Sequence, residues 1–156
     1  MMKENPIQIL LVEDNPGDVR LVREILREVS DIKLDASGRL TDALNRLKLG
    51  GVDLVLLDLG LPDSQGLKTL VELREIYPLL PMIVLTGLDD GDVALEAVKA
   101  GAQDYLVKGH FDEYSLPRAV RYAIERNHIE QELRESENRF RSTLDNMLEG
   151  CQIIGF

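Results

Sequence analysis

Five positions have side chains able to act together. Glu13 and Asp14 stand side by side, Asp58 follows the apolar run 54–57, and Thr86 and Lys108 each close a further short apolar run. Three carboxylates brought to one point repel each other and raise at least one pKa unless a cation joins them. No His or Cys accompanies them, so the donors are all oxygen. That selects a hard ion, and a partly hydrated Mg²⁺ is the natural choice. An ammonium and a hydroxyl beside such a cluster suit a phosphoryl group carried on Asp58, because its equatorial oxygens need neutralising.

Taken one at a time, each residue has a plainer reading. Asp58 suits a turn, Glu13 and Asp14 suit the capping of a helix, Thr86 a strand end, Lys108 a solvated surface, and Tyr105 edge packing. The conjunction depends on whether the fold delivers all of them to one place.

The apolar runs 7–12, 54–58 and 82–86 are short and end in Gly, Pro or acidic residues, which predicts strands covered on both faces. A weaker edge strand is predicted at 32–36 and a fifth strand at 105–107. Between them lie residues at helical spacing. Asn15 followed by Pro16 forms an N-cap and first helical position, with Val19, Val22, Ile25, Leu26 and Val29 inward to about residue 30. Further helices are expected at 41–49, ended by Gly50-Gly51, at 67–76, ended by Tyr77-Pro78, and around 93–98, ended by Gly101.

Strands alternating with helices imply right-handed parallel crossovers with helices on both faces. The expected fold is a flavodoxin-like, doubly wound α/β domain with a five-stranded parallel sheet, order 2-1-3-4-5. In that order the carboxyl ends of the first, third, fourth and fifth strands share one mouth. They carry Glu13 and Asp14, Asp58, Thr86 and Lys108.

From about Glu113 the chain turns helical and stays so to about Glu149, with Pro117 near the start. Leu116, Val120, Ala123 and Ile124 form a face for the sheet. From Ile129 the pattern narrows to Ile129, Leu133, Ser136 and Phe140, a seam at spacings of four and three that fits a parallel two-stranded coiled coil. Cys151-Gln152-Ile153-Ile154 then reads as the start of a strand of a further domain.

The 156 residues are 44% apolar and 29% charged, so one ordinary domain with its own core is expected, with residues to spare. A lone Cys151 forms no internal bridge, and no apolar run approaches a bilayer span, so the expected location is cytoplasmic. A formal net charge of −10 disfavours nucleic acid and anionic lipid, whose phosphates it would repel.

Val-Glu-Asp-Asn at 12–15, Leu-Leu-Asp at 56–58 with Leu-Pro-Asp at 61–63, Leu-Thr-Gly at 85–87 and Asp-Tyr-Leu-Val-Lys at 104–108 resemble the receiver domain of two-component response regulators. The resemblance covers about residues 5–127. It implies that Asp58 is the phosphoacceptor, served by a histidine kinase as donor. It implies that Asp14 binds Mg²⁺ directly, that Glu13 supports it largely through water, and that the Gly60 carbonyl is a further ligand. Lys108 would pair with Asp58 and then with the phosphoryl group, Thr86 would bond a phosphoryl oxygen, and Tyr105 would turn inward as part of the switch.

Two positions depart from the family pattern. Gly109 stands where a Pro usually follows the lysine, and Gly60 leaves no side chain beside the acceptor. Residues 128–149 resemble the linker helix that leads into a PAS sensor domain, with 150–156 as its first strand. The parent would then be a larger regulator or hybrid histidine kinase that signals through a downstream domain and pairs through the last helix.

Three other classes compete. Haloacid-dehalogenase-type phosphatases and Toprim enzymes also gather acids around Mg²⁺, but want a second Asp two residues after the first, where this chain has Gly60. A flavodoxin-like cofactor binder needs a phosphate-cradling loop after the first strand, and Glu13-Asp14 would repel that phosphate. A docking module independent of phosphorylation would lack acids or the lysine, and none is missing.

Overall fold

The computed structural model describes residues 6–87 and 91–153, with side chains as far as Leu148. Its elements alternate: β1 (Ile7–Val12), α1 (Pro16–Arg27), β2 (Ile32–Ser37), α2 (Leu40–Lys48), β3 (Leu54–Asp58), α3 (Leu67–Ile76), β4 (Met82–Thr86), α4 (Gly91–Lys99), β5 (Asp104–Val107) and α5 (Ser115–Ile153). All strand pairs are parallel and the order is β2-β1-β3-β4-β5, as the alternation predicts.

The apolar runs of β1, β3 and β4 look continuous because both faces are covered. Leu10, Val12, Val55, Leu57, Met82 and Val84 point to one side, against Ala43 and Leu47 of α2, Leu70 and Leu73 of α3 and Ala97 of α4. Their neighbours Ile9, Leu11, Leu54, Leu56, Ile83 and Leu85 point to the other, against Val22 and Leu26 of α1 and Leu116, Val120 and Ala123 of α5. Burying each of the larger of these side chains stabilises the fold by about 1.5–3 kcal/mol before entropy is counted. The edge strands β2 and β5 alternate or are half exposed.

Several boundaries show their causes. The Asn15 side chain accepts the backbone N–H groups of Gly17 and Asp18 at 2.9 and 3.1 Å, and Pro16 takes the first turn of α1. Past α2, Gly50 and Gly51 adopt φ of 77° and 83°, which a side chain resists. At the start of α5, Asp112 accepts the N–H of Ser115 at 2.8 Å while Ser115 Oγ accepts the N–H of Asp112 at 2.9 Å, a reciprocal cap. With Asp112 as N-cap and its carbonyl accepting the Leu116 N–H at 3.1 Å, the helical turn begins at about Glu113, as the sequence pattern suggests.

At 39 residues, α5 is roughly 58 Å long. Its first turns pack on the sheet. Asn127 Nδ2 and Gln131 Nε2 then donate to the Leu79 carbonyl at 2.9 and 3.0 Å, the last polar tie to the domain among the described residues. Every residue from 132 to 148 is exposed, including Leu133, Phe140, Leu144, Met147 and Leu148. The strand expected from Cys151 is not formed over the described residues: the helix continues through Gly150 to Ile153. One Gly inside a helix costs only about 1 kcal/mol, too little to stop it. The remainder of that expected strand, 154–156, lies outside the described residues. No helix among the described residues is long and apolar enough to cross a membrane.

Candidate functional site

Parallel strands in this order end at one edge, and four of them meet there. β1 delivers Glu13 and Asp14. The Glu13 N–H is held by the Ser37 carbonyl at 2.9 Å, which keeps the residue in line with the strand and its side chain buried. β3 delivers Asp58, partly buried, while Asp14 is exposed. Carboxylate oxygens of Glu13, Asp14 and Asp58 lie within 4.8 Å of one another.

β5 delivers Lys108. Its N–H donates to the Thr86 carbonyl at 2.7 Å, which pins the end of β5 to the end of β4. The Lys108 Nζ lies 2.7 Å from Glu13 Oε1, 3.2 Å from Asp58 Oδ1 and 3.0 Å from Asp18 Oδ2. Of these, the Asp18 contact is an aligned hydrogen bond, whereas Glu13 Oε1 is buried without one. The other Glu13 oxygen accepts the Asn15 N–H at 3.2 Å.

These neighbours shift two groups. Burial pushes the Glu13 carboxyl up most, Lys108 opposes this, and Asp58 adds to the rise, so the pKa stands at about 7. For Lys108, burial works against the charge, but the contacts from Glu13 and Asp18 outweigh it and hold the ammonium above its ordinary value.

The donor set fits a small hard cation. Three carboxylates converge, one of them buried with an oxygen that lacks an aligned hydrogen bond, and oxygen donors of this kind suit such an ion. Gly60 lies against Asp58, since a Cβ there would sit 3.7 Å from Asp58 Oδ2. Its strand-like contact with Gln65 closes the loop beyond β3.

Thr86 and Tyr105 stand differently. Thr86 is buried at the end of β4, and its hydroxyl donates to the Leu106 carbonyl at 3.5 Å, towards β5 rather than the carboxylates. Tyr105 is 41% exposed on the outer surface of β5. The structure thus gathers Glu13, Asp14, Asp58 and Lys108, with Thr86 and Gly60 adjoining and Tyr105 outside.

Asp18 is the member that sequence reasoning misses. At the third position of α1 it reads as a helix-capping acid, and 90 residues separate it from Lys108. Asp63 likewise reads in the sequence only as part of a motif. It accepts the N–H groups of Leu40 and Thr41 at 2.8 and 3.0 Å, tying the β3–α3 loop to α2. An apolar groove of about 410 Å³, lined by Leu47, Val52, Ile76 and Leu79 among others, opens at the opposite end of the sheet and takes no part in this cluster.

Known proteins resemble this chain in sequence and fold. Transcriptional regulatory protein ZraR of Escherichia coli O157:H7 is 32% identical over 129 residues, covering 82% of this chain and 29% of its own length. Swarming motility regulation protein RssB of Serratia marcescens is 36% identical over 116 residues, covering 73% of this chain and 50% of its own. The chain therefore spans half or less of these relatives. Among solved structures, the signal receiver domain of an HD domain-containing protein from Pseudomonas fluorescens Pf-5 superposes with a TM-score of 0.73 at 30% identity, covering 85% of this chain and 96% of that one. The response regulator receiver domain model matches residues 9–121, and by that match the chain belongs to the family of response regulator receiver domains.

Proposed function

We propose that this chain is a phosphoacceptor in two-component signal transduction, taking a phosphoryl group from a histidine kinase onto Asp58. The observation that carries the reading is the reach of Lys108 from β5 to Asp58 on β3 and Glu13 after β1, over three clustered carboxylates. An Asp58 oxygen attacks phosphorus and forms the new O–P bond. The donor's bond to phosphorus breaks and its electron pair leaves with the donor. Lys108 then meets the negative charge that arrives on the phosphoryl oxygens.

Asp14, Asp58 and the Gly60 carbonyl would hold Mg²⁺, with Glu13 behind them. The ion would supply charge neutralisation for the transferring group. Thr86 supplies a hydroxyl to a phosphoryl oxygen after turning from Leu106, and Tyr105 follows it inward, changing the surface of α4, β5 and α5. The phosphatase and Toprim readings want an acid where Gly60 stands, and the chain's family is a signalling one.

The state of Asp58 passes along α5 to a downstream domain, for which a PAS sensor fits the character of the linker, within a cytoplasmic regulator or hybrid kinase. The exposed apolar residues of α5 pair with those of a second copy. No role on nucleic acid or at a membrane is assigned to these residues themselves. Intact-mass measurement tests the core of the reading. With Mg²⁺ and a small acyl phosphate the chain gains one phosphoryl group, and Asp58→Asn abolishes the gain. Labelling that persists in the Asn variant overturns the assignment.

A further inference from the structure

Asp18 occupies the place where a helix-capping acid would turn back to the N-cap backbone. Here that backbone N–H, of Asn15, is already taken by Glu13 Oε2 at 3.2 Å. The Asp18 carboxylate is therefore free to cross the mouth of the sheet, and it makes the aligned hydrogen bond to Lys108 at 3.0 Å. An ammonium has three donors. In this structure Glu13, Asp18 and Asp58 all face the one Nζ.

A phosphoryl group on Asp58 brings three acceptor oxygens and close to two negative charges, and it must draw the ammonium from one of these partners. The Glu13 side chain is 1% exposed and has no solvent to fall back on, so its loss of Lys108 is the most costly. Asp18 is 32% exposed and can exchange the lysine for water. The contact that yields is Asp18–Lys108.

We propose that Asp18 is a positioning residue for Lys108 that favours the unphosphorylated chain: it holds the ammonium on the α1 side of the mouth, and the phosphorylated state forms only as that hold is released. The proposal rests on the phosphoacceptor reading of Asp58. It gives the chain a brake on its own switch, built from a residue whose side-chain partner is Lys108. No proton or bond is exchanged at Asp18.

The test is equilibrium binding of fluoroberyllate, a tetrahedral phosphoryl mimic, at saturating Mg²⁺ by calorimetry. Asp18→Asn, and Asp18→Ser as a second variant that suits a first helical turn, should bind it roughly three- to tenfold more tightly than the parent, the scale of one charge-assisted hydrogen bond at a part-exposed site. Loss of a merely structural side chain does not tighten a ligand. The gain should persist in about 0.5 M salt, where charges are screened beyond roughly 4 Å. Unchanged or weaker binding in both variants overturns the proposal, and so does a gain that vanishes in salt, which would be a general field effect. If the parent chain does not bind the mimic, or Asp58→Asn binds it equally well, the phosphoacceptor reading itself fails.

Discussion

Asp63, in the loop between β3 and α3, accepts the backbone N–H of Leu40 at 2.8 Å and so caps α2 from outside that helix. The helix needs this, because Arg39 at its own N-cap position offers no side-chain bond. Asp63 also takes the N–H and hydroxyl of Thr41, each at 3.0 Å. These bonds, the backbone ones of Thr41 and Leu40 foremost, hold its carboxyl below the usual range. Asp63→Ala should lower the melting temperature by a few degrees. Because the folded pKa is lowered, the cap's contribution is present above the ordinary Asp pKa and is lost as pH falls through the folded value. The gap between parent and variant in thermal melts should close in acid.

Glu13 gives a pH dependence of the opposite sign. Its carboxyl ionises at about 7 in the folded chain, against an ordinary value of 4.5. The native state therefore holds the proton where the unfolded chain has released it. The resulting stabilisation is complete below pH 4.5 and is lost as pH rises through 7, a change of about 3 kcal/mol at most. Urea denaturation across this window, with metal chelated, should show stability falling as pH rises. Glu13→Gln should flatten the curve. Saturating Mg²⁺ should also flatten it, by favouring the ionised form.

Much of this is legible in the chain because two signals are local. Runs such as Leu54-Val55-Leu56-Leu57 declare a strand buried on both faces, and the last residue of each run falls at the sheet mouth by topology alone. Asp18 and Asp63 are not legible for the opposite reason. Each is an ordinary capping type, and its partner, Lys108 or Leu40, lies far along the chain. Position relative to a strand end can be read from period and punctuation. Which of two acceptors a backbone N–H takes, as at Asn15, depends on packing. The end of α5 shows the same limit, since Gly150 punctuates the sequence but does not stop the helix.

Gly109 replaces the Pro that the family pattern usually has after the lysine. It sits in a four-residue turn closed by the His110 N–H on the Val107 carbonyl at 3.0 Å, with φ of 84°. The third position of such a turn favours Gly when φ is positive. Pro is fixed near −65° and cannot adopt it. Gly109→Pro should destabilise the chain, and, because Lys108 is the second residue of the turn, weaken Mg²⁺-dependent phosphorylation as well. Gly109→Ala meets no atom within 4 Å and should cost only the backbone strain, about 1 kcal/mol. Denaturant titration of the two variants separates these outcomes.

The free part of α5 predicts how a pair of chains would assemble. With Leu133 and Phe140 at the a positions of a heptad and Ile129 and Ser136 at d, a parallel in-register pair sets Glu132 of one helix against Glu137 of the other. That is a like-charge contact made twice by symmetry. Within one chain Glu132 is already paired with His128 at 2.9 Å, a contact that is ionic only when the His is protonated. Beyond Phe140 the exposed residues shift to Leu144 and Met147, an insertion of the kind that locally unwinds a coiled coil. Association should therefore be modest and should strengthen with salt, which screens the glutamates. Glu137→Lys turns both repulsive contacts into attractive ones and should tighten the pair, while Phe140→Glu buries a charge in the seam and should abolish it. Sedimentation velocity over a concentration series reads both. A parent and two variants that sediment alike as monomers would rule the seam out.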